Sequence, residues 1–436
     1  MIRSGLGAFG GRRVLLLQGP VGPFFARLST DLRLAGAEVR KVNFNAGDWF
    51  FYRRGAVNYR GTLQEWPQWL ARHLDEWGIE VILLFGDCRP IHQRAHEVAA
   101  KAGVEIGVFE EGYVRPDFVT LERFGVNGYS QLPRTADHYD DPPEVTQVHP
   151  VGNTYWPMVR HAVLYFFMAW LGQWLFPRYR HHRPVKAAAL WPWVRSALRK
   201  TWYHWSEGGV QERLVNELHG RYFLVPLQVF DDAQVKVHGA VNSVEDFIQD
   251  TVRSFALNAP ADTLLVFKHH PMDRGHRNYR SLIEITAMMW GATGRVHYIH
   301  DQHLPTLLHH ARGVVVINST TGISALHHGR PTFVRGIALY DIPGLTYQGE
   351  LDEFWASAPS QAPDTALFGR YLQHLIAATQ INGSFYKRLA QASLACGLNL
   401  QPKGRSTPHA AACAEPIATP ATATDTASPV AARVEA

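Results

Sequence analysis

Cysteine is almost absent from this sequence. Its three copies, Cys88, Cys396 and Cys413, stand far apart and at no metal-ligand spacing, which argues against a disulfide framework or a zinc site and fits a reducing cytoplasm. Long apolar runs are missing as well. The opening "MIRSGLGAFGGRRVLLLQGPVG" holds only a short one, far below a signal-peptide core, and no later run reaches bilayer-spanning length without interruption. Neither an export signal nor a transmembrane helix is expected. No Walker lysine follows the turn "NSTTG", so a P-loop of the ATPase kind is excluded. The last absence is regional: residues 155–205 contain no Asp or Glu, yet carry eight Lys/Arg and seven of the thirteen Trp.

What is present suits a packed protein of more than one domain. The chain is 46% apolar and 19% charged, ordinary for a globular protein, and its 436 residues exceed one usual core. A net charge of +5 leans towards anionic partners such as nucleotide or phospholipid without choosing among them. "RRVLLLQGPVGPFF" and the stretch after it predict a strand, a Gly/Pro turn, an amphipathic helix and a second strand. The alternation continues with a Trp-rich helix at 63–77, strand 80–87, helix 91–102 and strand 105–111. Strands at 221–232, 263–271, 295–300 and the start of 313–336 repeat it, with helices at 243–257, 279–290 and 304–311, and a final helix is expected over 364–395. This pattern predicts an α/β protein of two Rossmann-like domains facing a cleft. The expected divisions are 1–154, 155–205, 206–402 and a disordered Ala/Thr/Pro-rich tail over 403–436.

The segment 155–205 surrounds "AVLYFFMAWLGQWLF" with cations and tryptophans. Trp170, Trp174, Arg178, Arg180 and Arg183 point to a helical insertion on a membrane surface, where amphipathic rings and cations meet the headgroup zone. Its plain alternative is a buried helical hairpin.

Polar residues gather at the expected strand ends. Glu110 and Glu111 lie in "FEEGYVRPD", Asp231 and Asp232 in "PLQVFDDAQ", Lys268, His270 and Pro271 in "FKHHP", and Asn318, Ser319 and Thr320 in "INSTTG". Two carboxylates from facing domains would suit glycosyl transfer or hydrolysis, one for attack on the anomeric carbon and one for the proton. Neighbours on a strand point opposite ways, so one of each pair faces the cleft. Free amides and hydroxyls at a helix start suit one phosphate, as in a nucleoside monophosphate. Gly19 and Gln228 are placed on the same nucleotide-sugar side. Each motif also has a structural reading: carboxylates and Ser/Thr cap helices, and Glu110 or Glu111 has Arg115 within sequence reach. The paired histidines lack further ligands at metal spacing, so no metal is expected.

Together these motifs resemble the capsule polysaccharide biosynthesis and export proteins of the KpsS/LipB type, from about residue 13 to 350. The resemblance implies a GT-B architecture and a retaining β-Kdo transferase. It implies CMP-Kdo as donor, phosphatidylglycerol or lyso-phosphatidylglycerol as acceptor, and no cofactor. The place it implies is the cytoplasmic face of the inner membrane, alongside other capsule proteins and without nucleic acid. Glu110 and Asp232 match the two carboxylates and His270-Pro271 the nucleotide-sugar motif. Asp231 stands where such proteins often carry Asn, which keeps the nucleophile open between Asp231 and Asp232, as Glu111 stays open beside Glu110. A non-catalytic export factor using the cleft for recognition, or a glycosyltransferase with another nucleotide sugar, would share most of these residues.

Overall fold

The computed structural model describes residues 5–144, 147–178, 191–230, 235, 239 and 241–400. Asp231, Asp232, Arg180, Arg183 and the expected tail lie outside them. In the first half the elements are β1 (Arg13–Leu16), α1 (Phe24–Leu34), β2 (Glu38–Asn43), α2 (Ala46–Phe51), β3 (Ala56–Asn58), α3 (Trp66–Glu76), β4 (Val81–Phe85), α4 (Pro90–Ala102), β5 (Glu105–Glu111) and β6 (Phe118–Arg123). The strand "VILLF" is buried along nearly its whole length, as a central parallel strand covered on both faces must be. Helix α4 opens on Pro90, whose missing N–H costs nothing there, and stops at Gly103 with φ 66°.

Three helices follow, α5 (Tyr155–Leu171), α6 (Trp191–Ser206) and α7 (Val210–Asn216). The second half then runs β7 (Tyr222–Pro226), α8 (Val244–Asn258), β8 (Leu264–Lys268), α9 (Arg280–Met289), β9 (Val296–Ile299), α10 (Leu304–His310), β10 (Gly313–Val316), α11 (Thr321–His327) and β11 (Thr332–Val334). It closes with α12 (Leu351–Ser357), α13 (Thr365–Thr379) and β12 (Gln380–Asn382).

The strands form two sheets, ordered β12-β6-β5-β4-β1-β2-β3 and β11-β10-β7-β8-β9. Strands β3, β2, β1, β4 and β5 are parallel, with β6 antiparallel at their edge, and the second sheet is parallel throughout. Both are Rossmann-like. Strand order reverses between β1 and β4 in the first sheet and between β7 and β10 in the second, and ligands in such sheets bind at that reversal, beyond the carboxyl ends of the strands. One core cluster includes Leu15 and Leu84 of the first sheet with Leu224 and Val316 of the second, so the two are packed together.

The expected helix over 364–395 ends at Thr379. Gln380 is already extended, and β12 pairs antiparallel with β6 through Gln380↔Thr120, Ile381↔Val119 and Asn382↔Phe118. The physical reason is burial: Phe385, Cys396, Leu398 and Leu400 join Phe24 and Phe109 in the core of the first sheet, which a continued helix would deny them. Residues 380–400, expected within the second domain, are therefore part of the first sheet's structure.

Candidate active site

The reversal point of the first sheet is bridged by side chains. Gln18 follows β1 and Arg89 follows β4, and Arg89 Nη1 donates to Gln18 Oε1 at 2.8 Å. Glu110 stands near the end of β5 beside them. Gly86, after β4, has φ 70°, a backbone conformation that favours glycine, and a Cβ there would be in ordinary contact with Glu110 Oε2 at 3.5 Å and Arg89 Nε at 3.8 Å, which places the two groups at the same turn. Enclosure of the Glu110 carboxyl raises its pKa to about 7; the Glu111 amide opposes the rise, the Glu111 and Asp87 charges add to it, and Arg89 opposes it. Glu111 points away and accepts a hydrogen bond from Tyr386 Oη at 2.7 Å. Arg115 pairs with neither acid: its Nε donates to the Gly112 carbonyl at 3.2 Å.

The second sheet repeats the device. Gln228, after β7, donates through Nε2 to Asn318 Oδ1 after β10 at 3.0 Å, and the Asn318 amide returns a 3.4 Å bond to Gln228 Oε1. Lys268 ends β8 in a buried position. His270 Nδ1 accepts from the Met272 amide at 3.2 Å and so caps the short turn that Pro271 opens. Burial, then the charges of Lys268 and Arg115, lower the His270 pKa to about 4. Arg115 belongs to the "FEEGYVRPD" turn, so a charge of the first half's motif is felt at a motif of the second. Ser319 Oγ accepts from the Thr321 amide at 3.2 Å, a local capping bond, while Thr320 makes no side-chain cap. Gly19 lies apart from this group, in the turn after β1 of the first sheet.

Asp231 and Asp232 follow directly on an anchored residue. The Phe230 amide donates to Asp273 Oδ2 at 3.2 Å, and the Arg277 guanidinium sits 4.9 Å over its ring. Asp273 was not singled out in the sequence. It is buried, and that burial raises its pKa to about 6. The signal was its place in "HHPMDR", three residues beyond the capping histidine. Among the described residues, no group of three or more His, Cys, Asp or Glu is placed to hold a metal ion.

Residues 80–386 match the family described as capsule polysaccharide biosynthesis protein. This chain belongs to that family. It is 44% identical over 383 residues to the capsule polysaccharide export protein KpsS of Escherichia coli, covering 86% of this chain and 97% of that one. It is 41% identical over 387 residues to the capsule polysaccharide modification protein LipB of Neisseria meningitidis serogroup B, covering 86% and 92%. Among solved structures, KpsC of Thermosulfurimonas dismutans, a beta Kdo 2,4 transferase, is 13% identical with a TM-score of 0.40, over 84% of this chain and 92% of that one. The strand order above, and not that score, defines the fold.

In this capsule polysaccharide biosynthesis protein the described helices of the Trp-rich segment leave large apolar side chains exposed. Helix α5 turns His161, Tyr165 and Ala169 inward against α2, and leaves Trp156, Val163, Phe167, Trp170 and Leu171 exposed, with Trp174 just beyond. On α6 the residues Trp191, Val194, Leu198, Trp202 and Trp205 are exposed at spacings of three and four, one stripe of a helix. Two of its cations face the protein, Arg195 Nε donating to the Gly275 carbonyl at 2.6 Å and Arg199 Nη1 to the Arg274 carbonyl at 2.8 Å, while Lys200 is exposed. Arg178 lies 3.9 Å from Glu65. No helix among the described residues is long and apolar enough to cross a membrane.

Proposed function

We propose that the protein is a retaining glycosyltransferase that moves β-Kdo from CMP-Kdo to phosphatidylglycerol or its lyso form, starting the poly-Kdo linker of a capsular polysaccharide. The observation that carries this reading is Glu110: an enclosed carboxyl with its pKa raised to about 7, at the end of the strand beside the reversal point of one Rossmann-like sheet, while the charge of Arg115 from the same turn helps lower the His270 pKa in the other half. A base at neutral pH wants such a pKa. In the first step Asp232 attacks the anomeric carbon, the bond to the CMP phosphate breaks, and CMP leaves with the electron pair. In the second a lipid hydroxyl attacks the same carbon, Asp232 leaves, and Glu110 takes the hydroxyl proton; two inversions restore the configuration. Lys268 and His270-Pro271, with Gln228, Asn318, Ser319 and Thr320, form the donor side.

The exposed stripes of α5 and α6 support attachment to the inner face of the inner membrane, since apolar faces that wide are seldom left in water. Incubating the purified protein with CMP-Kdo and a fluorescent lyso-phosphatidylglycerol tests the whole reading: the product should gain the mass of one Kdo. Asp232→Ala should abolish transfer while CMP still binds, and a trapped Kdo adduct should map to Asp232. An adduct on Asp231 would move the nucleophile by one residue, and release of no CMP by the parent would leave a recognition factor.

A further inference from the structure

Helix α6 presents its apolar stripe on one side and grips the protein with the other. Among its described side chains only Tyr203 is buried, so polar contacts supply most of that grip. They fall on two turns. After β8, the Gly275 carbonyl accepts from Arg195 Nε at 2.6 Å and the Arg274 carbonyl from Arg199 Nη1 at 2.8 Å. A Cβ on Gly275 would overlap the Pro192 carbonyl, so glycine is what lets the start of α6 come this close. After β9, the Tyr203 ring stacks on His300 with centroids 3.6 Å apart. Glu207, just past the helix end, accepts from the His300 amide at 2.9 Å and Gln302 Nε2 at 3.2 Å, and its other oxygen lies 2.5 Å from His300 Nδ1. Burial alone would raise its pKa, but those bonds hold it below the ordinary value, so the acceptor is charged. An ion pair between Arg274 and Asp301 joins the two turns.

The first of these turns is the one that Pro271 opens and His270 caps. Its hold therefore depends on α6 being formed and seated. A helix of 16 residues is marginal in water without a packed apolar face, and the apolar face of α6 is the exposed one, with Trp191, Val194, Leu198, Trp202 and Trp205. Charge indicates what covers it. Residues 155–205 hold no acid, and Lys200 on α6 and Arg160 on α5 are exposed, a combination that suits an anionic lipid surface. Lipid that binds only the seated helix stabilises that state by mass action, and both turns are stabilised with it. We propose that an anionic lipid surface covering α6 tightens the turn at 270–277 through Arg195, Arg199 and Glu207, so that the donor nucleotide binds more strongly on the membrane than off it. Arg199 and Glu207 are then positioning residues. This coupling rests on the donor site and the membrane attachment proposed above, and it makes each affect the other.

The test uses the full-length protein, CMP, and vesicles of equal parts phosphatidylcholine and phosphatidylserine, which contain no acceptor. Vesicles should lower the Kd for CMP roughly fivefold or more, and CMP should raise vesicle affinity by the same factor, since coupling is reciprocal. Without CMP, vesicles should slow hydrogen exchange at the amides of Asp273, His276, Arg277 and His300, which donate within the two turns and to Glu207. Replacing Trp202 and Trp205 by Ser, at exposed positions, should leave CMP binding in vesicle-free buffer at the parent's value and remove both vesicle effects. Arg199→Met should still bind vesicles but lose the CMP response, and Arg199→Lys, which keeps a donor for the Arg274 carbonyl, should restore part of it. A full CMP response in folded Arg199→Met makes that contact merely structural and overturns the assignment. CMP affinity and exchange rates that ignore vesicles overturn the coupling and leave the donor site standing. Slowed exchange with no CMP binding in either condition would establish the hold on the turns and overturn the donor reading instead.

Discussion

Glu110 and Glu111 differ by one position and share almost nothing of their surroundings. Glu110 has an enclosed carboxyl with a pKa of about 7 against an ordinary 4.5, whereas Glu111 is held by Tyr386. As the base, Glu110 must be ionised, so kcat/KM for the lipid should fall as pH drops below about 7, and a pH-rate profile checks it. Glu110→Gln should remove that limb, let the first step proceed and allow the glycosyl-enzyme to accumulate. The same shift bears on stability. A carboxyl whose folded pKa is raised releases its proton more readily when unfolded, so stability falls as pH rises from about 4.5 to about 7. Glu110→Gln should therefore be more stable than the parent at pH 8, by roughly 1–3 kcal/mol, and nearly equal at pH 4, as urea unfolding would show. Glu111→Gln should behave differently: transfer within roughly threefold of the parent, and a stability loss of about 1 kcal/mol from the weakened Tyr386 bond. Loss of transfer equal to that of Glu110→Gln would exchange the two roles.

At the scale of elements, the βα alternation was legible because each apolar run is followed by its own turn or cap: Pro90 and Gly103 bracket α4, and Ser243 caps α8 by accepting from the Asp246 amide. Strand β12 was not legible. "QIN" follows a helical pattern directly, and its partners Phe118, Val119 and Thr120 are some 260 residues away in sequence. Likewise the clusters around Gln18 and Gln228 are set by tertiary pairing, and neither glutamine announces its partner. The basic, Trp-rich composition of 155–205 was visible, but not its division of labour. Arg195 and Arg199 hold the loop at 274–276, and Trp156, Trp170, Trp174, Trp191, Trp202 and Trp205 face outward. This divides the effect of substitutions on liposome binding. Replacing Trp170 and Trp174, or Trp202 and Trp205, by Ser should weaken binding at every salt concentration, since interfacial burial is not screened. Replacing Arg178, Arg180 and Arg183 by Ser should weaken it by about 1 kcal/mol per cation at low salt and leave the remainder less salt-sensitive. Transfer to a water-soluble short-chain acceptor should survive both. Arg variants that bind anionic vesicles as tightly as the parent at low salt would remove the electrostatic part of the attachment.

At the scale of the molecule, the last strand ties the chain after α13 to the turn that follows Glu110 and Glu111. Gln380 Oε1 accepts from the Tyr113 amide at 2.9 Å and the Val114 amide at 3.4 Å, and its Nε2 donates to Thr120 Oγ1 at 2.9 Å. Those amides lie between Glu110, the proposed base, and Arg115, whose charge helps lower the His270 pKa. Gln380→Ala leaves the Tyr113 amide buried without an acceptor, which should cost about 1–3 kcal/mol. It should also loosen the turn, lowering kcat and raising KM for CMP-Kdo together. A matched control is Asp364→Ala. Asp364 caps α13 by accepting from the Ala366 and Leu367 amides at 2.8 and 2.9 Å, so its loss should cost about 1 kcal/mol without touching the turn. Urea unfolding and steady-state kinetics on both variants separate stability from positioning. If Gln380→Ala keeps parental kinetics below its unfolding transition, the crossing strand is a strut and the turn holds its own shape. Impaired kinetics in that variant alone would mean that the returning strand sets the distance between the base and the donor site.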